Sequence, residues 1–554
     1  MHKKMVWVIS LLLTLSLLVT ACAAPAAEAP SSEAASEAAP AESSDAAGEK
    51  VLIVAVDGDV DTFDPCCTVG TKTSQTAIQN TFDQLTQYAQ IEKKLDDGTP
   101  YMTVDTGNII GMLAESWKQE GADVIFTLKE GLTFSDGTPI DAQAIVDGYK
   151  RVYEVGGVST FLLGMAGVTS PDQITVVDER TIKMTPDVAN NLINLNNVMH
   201  NTSAVSPAEM AANGGDDGFG KEYFRQKLGV GNGPFVLTEY VPGDRLVFEA
   251  RDDYYAGRAA LDKVIVKIIP DAAQRVLLLK SGEVDMIMIP PIRDLADLEA
   301  DPNIKVISVP TTQNRMLMLN NAIAPFDNKL VRQAVAYAVP YDTIINEVWQ
   351  GRARRLKSPI ADGTPTSDYS FWQYETDLEK AAALLAEAGF PGGEGLPPIK
   401  LSVRIGTEED ERAAVFIQDA LSQIGMTVEI EKATFAAFNE AQQKKELQMS
   451  IDEWISWVND PFYHLSWLYR STSPTIYTNY NNPEVDELIA KYTLWAGDQA
   501  ERDAASVRIQ ELVVDDVPVV YIGAPNFNVA MRANVTGYVY YNDELNRYYY
   551  MDKE

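Results

Sequence analysis

Residues 263–309 alternate extended and helical signals, and no other stretch constrains the fold as tightly. Val264 to Ile269 is an apolar run. Asp271 follows as a helix-capping residue, and Gly282 supplies the helix stop. Asp285 to Ile289 and Ile304 to Val309 are two more extended runs. Strands that alternate with helices build βαβ crossovers, with helices covering much of a sheet. The spacing therefore predicts an α/β fold.

Just upstream lies Gly231 to Tyr255, GNGPFVLTEYVPGDRLVFEARDDYY. Runs at 234–241 and 245–250 are rich in Val, Leu, Phe and Tyr, and Pro242-Gly243-Asp244 between them are turn formers. This predicts a β-hairpin. Gly231 and Gly233 are read as allowing backbone angles closed to other residues.

The chain starts with His2, Lys3 and Lys4, then an apolar run from Met5 to Val19. That run is short for a membrane span and has the flanks of an export signal. Ala23 to Glu49 contains only Ala, Glu, Pro, Ser, Asp and Gly. Without large apolar residues it has nothing to pack, so it reads as a tether. The remaining ~500 residues exceed one ordinary domain, and two or three are expected.

Net charge is −34, and becomes −36 if Lys3 and Lys4 leave with a signal. Such acidity disfavours nucleic acid and anionic membrane surfaces as partners. Besides Cys22 the only cysteines are Cys66 and Cys67. They read either as a strained vicinal disulfide or as two free thiols. Past the signal only His200 and His464 remain, which leaves little for a histidine metal site or a Cys/His catalytic pair. No phosphate loop, Gly-x-Ser-x-Gly or His-Glu-x-x-His motif occurs. No metal, cofactor or enzymatic activity is expected.

Further elements follow from local pattern. Lys50 to Val56 is a strand and Ser74 to Gln87 a helix. Val124 to Leu128 is a strand, Ser135 to Pro139 a turn, and Asp141 caps a helix. Arg315 to Asn320 is a strand, and Pro340 breaks the helix before it. Thr376-x-x-Glu379 is a capping box opening a helix that stops at Gly389. Lys400 to Ile405 is a strand, and Thr407-x-x-Asp410 opens a helix that stops at Gly425. Met426 to Ile430 is the next strand. Helices at 484–495 and 499–513 precede a strand, Pro518 to Ile522, assigned to a return into the first lobe.

Three stretches carry a resemblance. Residues 111–152 include Ala114, Ser116, Trp117, Phe134, Asp136, Gly137, Pro139 and Ala142 in a recognisable pattern, with Ala144 departing from it. The hairpin 231–255 is the second, and Asn321 to Ala338, with its Pro-Phe turn and RQAVAYA helix, the third. Together they resemble the peptide/nickel-type, family 5 extracytoplasmic solute-binding proteins of ABC importers. That resemblance implies a two-lobed periplasmic-binding-protein-like fold with an inserted domain, mixed sheets flanked by helices and a hinge. The expected organisation is a signal at 1–21, a tether at 22–49, lobe one at 50–312 with an insertion near 100–228, lobe two at 313–517, and a return at 518–554.

Val19-Thr20-Ala21-Cys22 looks like a bacterial lipobox, which implies diacylation of Cys22 and a membrane anchor. Family function implies capture of di- or oligopeptides and delivery to importer transmembrane subunits, by a monomer. A non-peptide ligand (oligosaccharide, nickel chelate, haem or opine) on the same fold is the alternative. A surface lipoprotein without a transport role is the second alternative.

The candidate pocket is Trp454-Ile-Ser-Trp457-Val-Asn-Asp460-Pro461. A carboxylate beside two indoles suits an ammonium. In peptide receptors of the family an Asp before Pro in such a stretch holds the ligand's α-amino group, and Asp460 matches it. A ligand carboxylate calls for an arginine fork. Arg404 is the first candidate, then Arg354 or Arg355. His464, four residues beyond Asp460, shares its side if the chain is helical.

Overall fold

The computed structural model describes residues 48–66, 71–95, 97–189, 203–216, 218–456 and 459–554. Two large mixed sheets organise them. The first runs in the order Ile304–Val309, Phe527–Arg532, Met286–Met288, Val51–Val56, Lys263–Ile268, Arg245–Ala250, Phe235–Val241. Its centre is parallel: Val51–Val56 pairs in parallel with both Lys263–Ile268 and Met286–Met288. That is the expected βαβ core, and the helix Ala272–Ser281 between these strands is capped by Asp271 and stopped by Gly282 at φ 81°.

The predicted hairpin is present as Phe235–Val241 and Arg245–Ala250, paired antiparallel. Its glycines act by a different cause than the one expected. Neither Gly231 nor Gly233 has positive φ. Instead, a Cβ on Gly231 would lie 2.0 Å from the Thr81 carbonyl oxygen, and one on Gly233 would lie 2.6 Å from the Thr81 carbonyl carbon. Gly233 N–H donates to that oxygen at 2.7 Å, and Asn232 Oδ1 accepts from Asp83 N–H at 2.8 Å. This docking also explains why the helix expected over 74–87 runs instead over Lys72–Thr81. Backbone groups that would extend it are committed to the hairpin neck.

The second sheet runs Ala353–Arg354, Val519–Pro525, Asn314–Leu319, Met449–Trp454, Ile399–Arg404, Val428–Ala433. The strand expected at Pro518–Ile522 is here, antiparallel to Asn314–Leu319, and so does not make the return. That is done by the next strand, Phe527–Arg532, which pairs with Met286–Met288 and Ile304–Val309 in the first sheet. A third sheet of four strands, Ala114–Glu120, Asp123–Leu128, Thr181–Met184 and Ile174–Asp178, falls inside the expected insertion. It packs with the helix Ala142–Val155, capped by Asp141.

The chain thus crosses between the large sheets twice, through 310–313 and at Asn526. The crossings are tied together: Thr311 Oγ1 donates to the Pro525 carbonyl at 2.9 Å. Two short adjacent connections thus join the two packed bodies, the arrangement on which hinge closure is built.

Two caps differ from expectation. Asp377, not Thr376, caps the helix Leu378–Glu387, because the Thr376 hydroxyl donates to the Val339 carbonyl. Thr407 likewise donates to Arg404 O and gives no cap bond to Glu408–Gln423. Among the described residues no helix is long and apolar enough to cross a membrane.

Candidate functional site

At the junction of the two lobes, charged side chains converge from five separate parts of the chain. Lys72 opens the helix Lys72–Thr81 and pairs with Glu544 of the C-terminal segment. A cavity of about 30 Å³ reaches from these two residues to Val56 and Met288, at the carboxyl ends of parallel strands. Open α/β sheets bind ligands at such ends. From the second lobe, Arg315 lies 2.7 Å from Glu453 and 3.3 Å from Asp410. Gln313 donates to Glu453 at 2.8 Å. Arg404 pairs with Asp452 and lies 5.0 Å from the centre of the Phe438 ring.

The fields of these groups cross the junction. Burial alone would raise the Glu453 carboxyl, but Arg315, Lys72 and Arg404 outweigh it and hold the group down at about 2. Burial would likewise lower the Lys72 ammonium, yet Glu544 and then Glu453 raise it. Asp410 and Glu544 are pushed up by burial against the opposing pull of Arg315 and Lys72 respectively. Lys72 remains 40 % exposed and Glu453 31 %, so both are reachable from solvent.

Unmet hydrogen-bonding capacity collects on the second-lobe side. Arg315 Nε, Arg404 Nε, Asp410 Oδ1, Trp454 Nε1 and both polar side-chain atoms of Asn314 are buried without a hydrogen-bond partner. Buried polar groups are nearly always paired, so such a cluster calls for an explanation, and a ligand is one.

The expected site residues divide. Arg404 acts on the Glu453 and Asp410 carboxyls, whereas the Trp454 ring packs 5.7 Å from Trp467 and 6.2 Å from Tyr463. Asp460 makes local bonds. It caps the helix Pro461–Leu468 by accepting from Phe462 N–H at 2.8 Å, and both its oxygens take 2.8 Å bonds from Arg502. His464 is completely buried, with neither ring nitrogen hydrogen-bonded. Burial lowers its imidazole to about 3. Arg354 pairs with Asp362 and donates to Thr311 O at the hinge. Arg355 stacks on Tyr341 at 3.4 Å and donates to Tyr521 O. Cys66 is a buried free thiol pushed up to about 12 by burial. Cys22, Cys67, His200 and Trp457 lie outside the described residues.

Lys72, Arg315, Asp410, Glu453 and Glu544 were missed. A signal was present for one of them, Glu453. Asp452-Glu453 interrupts the otherwise apolar strand Met449–Trp454, and acids inside a covered strand need partners. Asp410 was hidden by reading it as half of a capping box.

Two α/β lobes joined by a double crossing, with charge and unmet polar groups at their junction, are the architecture of a solute-binding protein. Comparison with known families makes this specific. Residues 108–475 match the middle region of the bacterial extracellular solute-binding proteins, family 5, and the chain belongs to that family. It is 28 % identical to a probable D,D-dipeptide-binding periplasmic protein of Escherichia coli (strain K12), over 89 % of this chain and 92 % of that one. It is 27 % identical to heme-binding protein A of Haemophilus influenzae, over 77 % and 81 %. The periplasmic binding protein DppA of Helicobacter pylori, solved with the peptide STSA, superposes with a TM-score of 0.78. It shares 26 % identity, over 91 % of this chain and 98 % of that one.

Proposed function

We propose that this protein captures di- or oligopeptides outside the cell and delivers them to the transmembrane subunits of an ABC importer. The observation that carries this reading is the junction cluster, where both signs of charge act across the lobes and several buried polar groups on the second-lobe side have no hydrogen-bond partner. A peptide with free termini is a zwitterion lined with amide donors and acceptors, and it answers both features. Its backbone bonds as an added strand would, while hydrated side-chain pockets tolerate varied sequence. The relatives solved or named with peptides support the same reading.

In this reading Glu453 receives the ligand's ammonium, and Arg315 with Arg404 receives its carboxylate. Asp460, which pairs with Arg502 as Glu453 pairs with Arg315, is the second candidate for the ammonium. Trp457 is kept as a ligand contact in this reading. The ligand touches both lobes, since only a ligand that prefers the closed state shifts the balance toward it. The protein acts as a monomer, held to the membrane by lipid on Cys22, and releases its ligand chemically unchanged.

Native mass spectrometry on residues 50–554, purified without denaturant, tests this directly. A ladder of bound peptide masses is expected on release. A single non-peptide mass overturns the ligand class while keeping the receptor. Glu453→Gln should then weaken peptides with free N-termini at least about tenfold and leave acetylated ones little changed. An equal loss for both refutes the role of Glu453. Incorporation of labelled palmitate into the full chain, abolished by Cys22→Ala, tests the anchor.

A further inference from the structure

A second cavity, of about 90 Å³, lies within the first lobe. Its walls come from the turn after the helix Lys72–Thr81, from the paired strands Thr86–Lys94 and Pro100–Gly111, and from the C-terminal segment. It shares none of the residues of the junction cluster. On volume it holds several waters or one small organic group.

Tyrosines dominate one side. Tyr254 meets Tyr549 with ring centres 5.2 Å apart at 70°, and Tyr549 meets Tyr550 at 5.1 Å and 79°. Successive near-perpendicular rings make a cornered aromatic wall. Arg547 shows that a cation is accommodated at its edge, lying 4.0 Å from the Tyr541 ring centre. That charge is already matched by a two-bond pair with Asp543.

Asp83 remains. It is 1 % exposed and lines the cavity. Its Oδ2 accepts from Tyr254 OH at 2.7 Å, and Oδ1 is buried with no donor at hydrogen-bond geometry, although the Tyr255 hydroxyl also favours the charged carboxylate. The ionisable acids and bases of the lining are thus Asp83 and Asp543 against Arg547, one negative charge in excess. A buried carboxylate oxygen without a donor at hydrogen-bond geometry, beside a cornered tyrosine wall, has the makings of a cation cage.

We propose that this cavity is a second ligand site, separate from the inter-lobe cleft, that binds a small organic ammonium group between Asp83 and the tyrosines 254, 549 and 550. The cation supplies the charge that Asp83 lacks, and the ring faces stabilise its apolar periphery. Burial pushes Asp83 up to about 6, against the opposing pull of the Tyr254 and Tyr255 hydroxyls and of Arg251 and Lys129. The carboxylate is therefore charged at pH 8, where the site should be tested.

Titration calorimetry at pH 8 and matched ionic strength should compare choline with its uncharged isostere 3,3-dimethyl-1-butanol, using residues 50–554. Choline is expected to bind at least tenfold more tightly than the isostere. Asp83→Asn should abolish that preference, and Glu453→Gln should leave it intact. Equal binding of the two probes overturns the proposal, as does absence of choline binding. Loss in Glu453→Gln with retention in Asp83→Asn also overturns it, by placing the cation in the junction cleft. If Asp83→Asn does not fold, Tyr550→Ala, at a partly exposed position, should weaken choline at least fivefold. Unchanged affinity there refutes the cage.

Discussion

His464 offers a sharp test of how the aromatic helix Pro461–Leu468 is packed. The imidazole is buried without a hydrogen bond and lowered to about 3 by burial alone. An unfolded chain takes up that proton near 6.5, its ordinary value. Between 6.5 and about 3 the unfolded state therefore binds more protons than the folded state. Stability contributed by neutral His464 is fully present above 6.5 and is lost as pH falls toward 3. Each pH unit in that window is worth about 1.4 kcal/mol, so at pH 5 the loss is about 2 kcal/mol.

His464→Leu removes the titration and the two unpaired nitrogens together. At pH 8 the variant should be as stable as the parent or more so, since an unpaired buried polar group costs about 1–3 kcal/mol. Carboxylates elsewhere also titrate, so the difference between the two proteins is the quantity to follow. Urea unfolding followed by tryptophan fluorescence, at pH 8 and pH 5, gives it. The variant's advantage should grow by about 2 kcal/mol on going to pH 5. A difference that stays constant with pH would show that His464 is hydrogen-bonded or solvated, and would restore it as a candidate ligand contact.

Other perturbations report on separate elements. Asp460→Ala removes a helix cap and strands the mostly buried Arg502 guanidinium. It should destabilise by roughly 3–5 kcal/mol, measured by urea unfolding, whereas Asp460→Asn should lose less by keeping the cap. A merely exposed Asp460 would make both changes nearly silent. Gly231→Ala drives a methyl into the Thr81 carbonyl. It should cost more than the roughly 1–3 kcal/mol of ordinary overpacking, seen as a collapse of soluble yield or a large fall in Tm. Near-parental Tm would show that the hairpin neck can move away. Thr311→Val deletes the hydroxyl bond between the two crossings. It should leave Tm within a few degrees and change the ligand-induced closing measured by small-angle scattering. Identical scattering with and without ligand, in parent and variant alike, would argue against a hinge there.

Local pattern carried most of the elements, and the reasons are local. The strands at 263–268 and 304–309, the caps at Asp141 and Asp271, and the stop at Gly282 depend on residues within a turn or two. The failures came where a residue had a distant partner. Thr376 and Thr407 were spent on carbonyls rather than caps. Gly231 and Gly233 were needed for close approach to Thr81, some 150 positions away, and not for their own torsions. The pairing of Asp460 with Arg502, 42 positions on, was likewise not legible in the sequence.

By itself the sequence determined the α/β class, the hairpin and the family resemblance, since periodicity, turn chemistry and motif strings are written in consecutive residues. Only the tertiary structure decided which strand returns to the first lobe, because sheet order is a matter of edge pairing between distant segments. It also decided which charges meet at the candidate site. Lys72, Arg315, Asp410, Glu453 and Glu544 lie far apart in the chain. Charges act through space, so only folding makes neighbours of them.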